Sequence, residues 1–101
     1  SRPIRESLEY CFSKENIRNE VIQVNKYDIK NNNLHSKIIK ISLLTPKLGK
    51  GINSLKELKD SEYAWATLNN KASEEKFSYQ IIFTDDNIKP WKLIKKIHTN
   101  N

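Results

Sequence analysis

The stretch that decides the fold is residues 4–20, IRESLEYCFSKENIRNE. Its first half carries four apolar side chains at helical spacing: Ile4, Leu8, Cys11 and Phe12. Successive residues of a helix are rotated by about 100°, so these side chains fall on one stripe. Tyr10 lies off that stripe, about one turn after Ser7. The pattern therefore predicts a first helix that buries one face and leaves the Tyr10 ring available for stacking.

The second half of the stretch predicts a second helix. Ser13 is a suitable N-cap, and Lys14 and Glu15 open the first turn. Three residues form its apolar stripe: Ile17, Val21 and Val24. Ile22 points away from this stripe and Glu20 lies at its margin. Two adjacent helices would therefore present an aromatic ring, a carboxylate and an aliphatic side chain off their buried faces.

Residues 4–20 resemble the signature of the La motif, the RNA-binding winged-helix module of La and La-related proteins. That signature reads roughly Ile-x-x-Gln-[Ile/Leu]-Glu-[Tyr/Phe]-Tyr-Phe-Ser-x-x-Asn-[Leu/Ile]-x-x-Asp, and the match has no gap. Family members close the domain with a hairpin, which residues 81–91, IIFTDDNIKPW, resemble. The resemblance covers about residues 3–92. It implies an α+β winged-helix domain that is mostly helical, with a small antiparallel sheet.

The resemblance also implies a pocket for the 3′ end of a single-stranded RNA, often the uridine-rich tail of a small noncoding RNA. The family's pocket positions fall on six residues of this chain: Ser7, Tyr10, Cys11, Glu20, Ile22 and Leu44 (or its neighbour Leu43). Lys14 and Arg18, in the same stretch, complete the predicted RNA-binding residues. Ser7 replaces a glutamine and Cys11 replaces a second tyrosine, which predicts weaker base selectivity. Cys11 is also open to a simpler interpretation as a core residue on the apolar stripe.

Two of these residues supply the chemistry that an RNA end requires. Bases of single-stranded RNA stack on aromatic rings, and Tyr10 offers one. Glu20 stands at the position of the family's aspartate. An ionised carboxylate only accepts hydrogen bonds, so Glu20 can accept them from both hydroxyls of a terminal ribose. This predicts a preference for RNA with a free 3′ hydroxyl over DNA or a phosphorylated end.

The middle of the chain allows two interpretations. Leu34, Ile38 and Ile41 share one face of a helix, whereas isoleucine favours strands. The resemblance decides for a third helix, with a short first strand at Leu34. Residues 45–53 contain both glycines of the chain, Pro46 and two lysines, which predicts a flexible basic loop. Relative to most La motifs this loop is an insertion, either a tolerated surface feature or a contact with RNA backbone.

The second half of the chain predicts two short helices and a hairpin. Ser54 and Glu57 fit a capping box at the start of the first helix. The other elements follow in order: a helix at 62–69, a strand at 77–83, a turn at 85–87 and a strand at 88–91. Pro90 marks the last strand as an edge strand, since proline cannot donate to the sheet ladder.

Net charge and length limit the classes of protein to which this chain can belong. The 101 residues carry a formal net charge of +6, which favours a polyanionic partner such as nucleic acid. The same charge has simpler explanations. Surface lysines are often only solvated, and a composition rich in Asn, Lys and Ile can reflect an AT-rich genome. The length suits one domain, residues 1–92 with the inserted loop 45–53. Residues 93–101 are expected to form a basic linker toward a following RNA-recognition domain. The lack of methionine, even at position 1, suggests a piece of a longer chain.

The sequence does not group residues for catalysis or metal binding. His35 and His98 lie far apart, and no nucleophile has a base at a suitable spacing. The single cysteine, Cys11, excludes an internal disulfide and a cysteine-type zinc site. No stretch reaches the length of a membrane span. We therefore expect a protein without enzymatic activity, cofactor, metal or membrane contact, in a reducing compartment, which the resemblance implies is the nucleus.

Two classes of function follow from the sequence. In the first, the domain holds an RNA 3′ end and assists the assembly of a ribonucleoprotein with other subunits. The altered pocket and the composition favour a specialised La-related protein, such as those of ciliate telomerase. The alternative is a winged helix used for protein interaction or duplex DNA binding. A reader of duplex DNA needs a basic recognition helix, and the predicted third helix has only Lys37 and Lys40.

Overall fold

The computed structural model describes residues 4–24, 32–67 and 79–97. In this part of the chain two helices and five strands follow in order: α1 (Ile4–Lys14), β1 (Val21–Val24), α2 (Asn32–Leu44), β2 (Leu48–Ile52), β3 (Tyr63–Thr67), β4 (Tyr79–Phe83) and β5 (Trp91–Lys96). Two short 3-10 turns, Leu55–Glu57 and Asp86–Ile88, precede β3 and β5. The α+β class predicted from the sequence is confirmed.

The strands join one mixed sheet in the order β2-β1-β3-β5-β4. β1 runs parallel to β2 and β3, while β5 runs antiparallel to β3 and β4. Parallel neighbours need a long crossover, and α2 lies within the crossover between β1 and β2. The predicted antiparallel sheet is thus only the β3-β5-β4 half of a larger sheet. The described part of the chain is not mostly helical.

Helix α1 has the faces that the sequence predicts. Leu8, Cys11 and Phe12 are buried, and Ile4 packs against the same core. Tyr10 is 64% exposed. The predicted off-stripe position of the tyrosine is confirmed.

The end of α1 explains why the predicted second helix does not form. Asn16 adopts a left-handed φ of 55°, which asparagine tolerates better than most residues. The Ile17 N–H donates to the Phe12 carbonyl (3.0 Å), and the Asn16 N–H donates to the Ser13 carbonyl (3.1 Å). These two bonds form a Schellman motif, and Ile17 packs against the core that contains Phe12. The prediction of Ser13 as an N-cap is therefore wrong, because Ser13 lies in the last turn of α1.

Strand β1 occupies the rest of the predicted second helix. Val21, Ile22 and Val24 are β-branched, which suits a strand. Val21 and Val24 are both buried but belong to different apolar clusters, so they lie on opposite faces of the sheet. This inner strand is buried on both faces, so its apolar residues do not alternate with polar ones as in a half-exposed strand. Their spacing alone therefore fits a helical stripe as well as a strand.

Helix α2 confirms the predicted third helix. The predicted short strand at Leu34 is wrong, because Leu34 lies within α2. Ile38 and Ile41 are buried on the inner side of the helix. After the last turn, the Thr45 hydroxyl donates to the Ile41 carbonyl (2.7 Å) and accepts from the Trp65 indole N–H (3.0 Å). This buried bond ties the end of α2 to the middle of β3.

The predicted flexible loop at residues 45–53 is wrong, because most of it forms the edge strand β2. A Cβ added at Gly49 would lie 2.9 Å from the Cβ of Glu20, closer than real Cβ atoms approach. Glycine at this position therefore lets β2 pack against the residue that precedes β1. The glycine that suggested flexibility serves a close contact instead.

The predicted capping box is confirmed. The Ser54 hydroxyl accepts from the Lys56 N–H, and the Glu57 carboxylate accepts from the Ser54 N–H, both at 3.2 Å. The helix that it opens is a single 3-10 turn. Leu55 and the following Leu58 pack against one face of the sheet.

The predicted helix at residues 62–69 is wrong over its described part, which forms the central strand β3. Trp65 is fully buried on the face that the helices cover. Ala64 and Ala66 lie on the opposite face with Leu58, where small side chains allow close packing. Alanine prefers a helix by less than about 1 kcal/mol over most residues, and tertiary packing overrides that preference.

The predicted hairpin is confirmed, but the predicted second strand at 88–91 is wrong, because Ile88 ends a 3-10 turn and β5 begins only at Trp91. Asp85 caps the connection by accepting from the Asn87 N–H (2.8 Å). β4 is the edge strand, while β5 pairs on both sides, so the prediction from Pro90 is wrong; Pro90 precedes β5. The predicted linker is wrong for residues 93–96, which belong to β5 and contain two core residues. Residues 98–101 lie outside the described part.

Two apolar clusters lie on the two faces of the sheet. The larger contains residues of both helices: Leu8, Cys11, Phe12, Val21, Ile38, Ile41, Trp65, Ile88, Trp91 and Leu93. The smaller lies on the other face: Val24, Leu58, Ala64, Ala66 and Ile94. The larger cluster holds α1 beside the edge strand β4.

Candidate functional site

A pocket of about 300 Å³ lies between α1 and the end of β4. Seven residues line it: Ser7, Tyr10, Cys11, Lys14, Glu15, Ile82 and Phe83. We name it the Tyr10 pocket. Its volume is at the lower end of the range for ligand sites, so it suits one small planar group rather than a large ligand.

Helix α1 fixes the backbone position from which the Tyr10 side chain projects. Phe12 is buried in the larger cluster, so α1 cannot rotate about its axis without exposing an aromatic ring. The Schellman motif at Asn16 fixes the last turn, from which Lys14 and Glu15 reach the pocket. The groups that line this side of the pocket therefore sit on a rigid element.

Strand β4 supplies the apolar side of the pocket through a bulge. Between Ile81 and Phe83 the pairing with β5 shifts, so that Ile82 is an extra residue. Bulges at sheet edges redirect side chains, and here the consecutive residues Ile82 and Phe83 line one pocket. The Phe83 ring meets the buried Trp65 ring edge to face, with 6.4 Å between centroids. The buried Trp65 ring thus supports the Phe83 side of the pocket.

Cys11 forms part of the pocket wall and is only 8% exposed. Burial raises the pKa of its thiol, the Glu15 carboxylate raises it further, and the Lys14 ammonium lowers it. The thiol is therefore protonated near neutral pH and acts as a small wall group rather than a nucleophile. The effects on Cys11 also indicate that the charges of Lys14 and Glu15 lie near the pocket wall, one of each sign.

A second pocket of about 340 Å³ lies where β1 meets the segments that lead into β2 and β3. Five residues line it: Asn19, Glu20, Ile22, Lys47 and Glu62. We name it the Glu20 pocket. The Val21 N–H donates to the Lys47 carbonyl (2.9 Å), which fixes the approach to β2 beside β1. In contrast to the Tyr10 pocket, it has two carboxylates for one ammonium and no aromatic ring.

The fold divides the eight residues predicted to bind RNA. Four line the Tyr10 pocket: Ser7, Tyr10, Cys11 and Lys14. Two line the Glu20 pocket: Glu20 and Ile22. Arg18 and Leu44 line neither; the Arg18 Nε donates to Asn16 Oδ1 (3.1 Å), and Leu44 packs against the larger cluster. The stacking ring and the carboxylate lie in separate pockets because a strand, rather than a second helix, follows α1.

Three residues of the Tyr10 pocket were not predicted from the sequence. Glu15 was assigned to the start of a helix that does not form. Ile82 and Phe83 were assigned to a regular strand, in which neighbours point to opposite faces. The one available signal was their position as two adjacent large apolar residues close to a turn, where a bulge is common.

The described part of the chain also lacks two other kinds of feature. None of its His, Cys, Asp and Glu residues form a group of three or more that could hold a metal ion. None of its helices combines the length and the apolar character needed to cross a membrane.

No family model, no curated protein and no solved structure matches the chain.

Proposed function

We propose that this domain binds single-stranded RNA and that the Tyr10 pocket receives a base. The observation that carries the proposal is the Tyr10 ring, 64% exposed on a rigid helix beside the Lys14 ammonium and the apolar side chains of Ile82 and Phe83. Bases stack on such rings, and a nearby cation attracts the phosphate that follows the base. The net charge of +6 supports the same class of partner.

The proposed ligand is the 3′ end of a small noncoding RNA, and the proposed setting is a nuclear ribonucleoprotein with other subunits. Both rest on the resemblance of residues 4–20 to the La motif. We propose that only α1 and the β4–β5 hairpin correspond to the winged-helix domain of the La motif. The segment that the motif needs for its second helix forms the end of α1 and β1.

The proposal gives the Glu20 pocket a secondary role. An exposed carboxylate that accepts hydrogen bonds suits the hydroxyls of a terminal ribose. Glu62 lines the same pocket, so a terminal phosphate would meet two like charges there. We assign no catalytic step and no cofactor to either pocket.

Equilibrium titration of a fluorescent single-stranded RNA tests the proposal. Tyr10→Ala should weaken binding by about 1–3 kcal/mol, the range for one stacked base. Leu43→Ala is the matched control, because Leu43 is a large side chain, 77% exposed on α2, that lines neither pocket. Equal losses in the two variants, or no RNA binding by the wild-type chain, would refute the proposal.

A protein partner is the second candidate, favoured by the outer side of α2. Ile39 and Leu43 lie one turn apart there, 49% and 77% exposed. Exposed apolar pairs of this kind often belong to protein interfaces. Duplex DNA is a poorer candidate for α2, because the Lys37 ammonium already donates to the Lys89 carbonyl. Association with a protein partner that Ile39→Ala with Leu43→Ala abolishes, together with no RNA binding that depends on Tyr10, would favour the α2 surface.

A further inference from the structure

We infer that the Tyr10 pocket selects guanine, and not the uracil that the La-motif resemblance implies. The inference rests on the proposed function, since it names the base that the same pocket receives. It follows from the polar groups that line the pocket together with the ring: the Glu15 carboxylate, the Lys14 ammonium and the Ser7 hydroxyl.

The Glu15 carboxylate is the first selecting group. Two oxygens that only accept hydrogen bonds match a base edge with two adjacent donors. Guanine has such an edge, because its N1–H and N2–H₂ lie side by side. Uracil has a single N–H between two carbonyls, so a carboxylate placed against it would meet at least one oxygen lone pair. Glu15 therefore favours guanine over uracil.

The Lys14 ammonium is the second selecting group. It donates only, and the guanine O6 next to N1–H is an acceptor. Adenine presents one amino group beside a ring acceptor, and cytosine presents one amino group beside two acceptors, so neither offers two donors to a carboxylate. A carboxylate that accepts from N1–H and N2–H₂, with an ammonium beside it that donates to O6, is the complement of the guanine edge.

The fold fixes the backbone that carries these two groups. Lys14 is the last residue of α1 and Glu15 follows it, and the Glu15 N–H donates to the Cys11 carbonyl (2.9 Å). The Schellman motif around Asn16 holds the backbone of both. Glu15 is half-buried and Lys14 is exposed. Tyr10 and Phe83 offer aromatic surface on the two elements that form the pocket, and a purine covers more of it than a pyrimidine.

The test is a titration with four short single-stranded RNAs that differ only in the base next to the 3′-terminal nucleotide. Guanine should bind roughly 10-fold or more tightly than uracil, as expected for one bidentate base contact. Glu15→Gln should remove this preference, because an amide presents one donor and one acceptor. Glu9→Gln is the matched control, since it makes the same change on an exposed residue of α1 outside the pocket.

The outcomes distinguish failure of the guanine assignment from failure of the proposed RNA binding. Binding that depends on Tyr10 but shows equal or greater affinity for uracil would overturn the guanine assignment and leave RNA binding in place. Binding that ignores Tyr10→Ala would overturn both. The wild-type base series alone decides the assignment if Glu15→Gln does not fold, and a guanine preference kept by a folded Glu15→Gln would also overturn it.

Discussion

The two pockets differ in how the chain builds them. The Tyr10 pocket is formed by one helix, whose side-chain directions follow from its sequence, and by a bulged edge strand. The Glu20 pocket is formed by three segments that meet only because β1 pairs with β2 and β3. The first combines aromatic surface with one charge of each sign, while the second combines two carboxylates with one ammonium. The difference teaches that residues close in sequence, such as Tyr10 and Glu20, need not share a site.

The largest expected effect separates the buried and exposed sides of α1. Phe12→Ala should lower the free energy of unfolding by about 3–5 kcal/mol, because it empties part of the larger cluster under the Tyr10 pocket. Tyr10→Ala should change it by no more than about 0.5 kcal/mol, because Tyr10 is mostly exposed. Urea unfolding of both variants checks this. A large loss of stability in Tyr10→Ala would place the ring in the core and remove the basis for the pocket.

The next effect concerns the wall of the Glu20 pocket. Gly49→Ala should destabilise the domain by about 1–3 kcal/mol, because the new Cβ would lie 2.9 Å from the Cβ of Glu20. Adding Glu20→Gly should restore much of the stability, since it removes the atoms that clash. The measurement is again urea unfolding, with Glu20→Gly alone as the control. If the double variant is no more stable than the sum of the single changes implies, β2 does not press on Glu20.

A smaller effect distinguishes the roles of the pockets in RNA binding. RNA with a free 3′ hydroxyl should bind better than the same RNA with a 3′ phosphate, by about 0.5–1.5 kcal/mol, the worth of an ordinary hydrogen bond. Glu20→Gln should reduce this difference without changing the contribution of Tyr10. Titration of both RNAs against the wild-type, Glu20→Gln and Tyr10→Ala chains checks it. Equal affinity of the wild-type chain for the two ends would show that Glu20 does not face the RNA terminus.

The smallest effect tests Lys50 of the edge strand β2 and Lys47, which precedes that strand. Affinity for RNA should fall as salt rises, because bound lysines release counterions. Replacing Lys47 and Lys50 by alanine should reduce the slope of log K against log salt by up to about 1.4, or 0.7 for each contact with a single strand. Replacing Lys56 and Lys59, two lysines after β2, is the charge-matched control. The same slope in both double variants would leave β2 without a role in binding.

Local patterns in the sequence predicted the parts of the fold that depend on neighbouring residues. The buried stripe of α1, the inner face of α2, the capping box at Ser54 and the hairpin that ends in β5 all follow from spacings of a few residues. The exposure of Tyr10 follows in the same way. Ser7 and Cys11, which also line the Tyr10 pocket, were predicted as binding residues from the resemblance to the La motif rather than from spacing.

The remaining parts depend on pairing between distant segments. Residues 21–24 and 63–67 are strands because they pair with each other and with segments far along the chain. Trp65 flanked by two alanines fits a helix as well as a central strand until its partners are known. Asn16 ends α1 through a left-handed φ, and the sequence alone did not distinguish this from an N-cap at Ser13. The separation of Glu20 from Tyr10 follows from these nonlocal choices.

Photocrosslinking tests the central claim, that the Tyr10 pocket receives the RNA base, most directly. An RNA with a photoreactive base next to the 3′-terminal nucleotide would be crosslinked to the chain, and trypsin would release residues 6–14, 19–26 and 77–92 as separate peptides. The account predicts adducts on residues 6–14, which contain Tyr10, and on 77–92, which contain Ile82 and Phe83. Adducts confined to residues 19–26, which contain Glu20, or to peptides from α2 would contradict it.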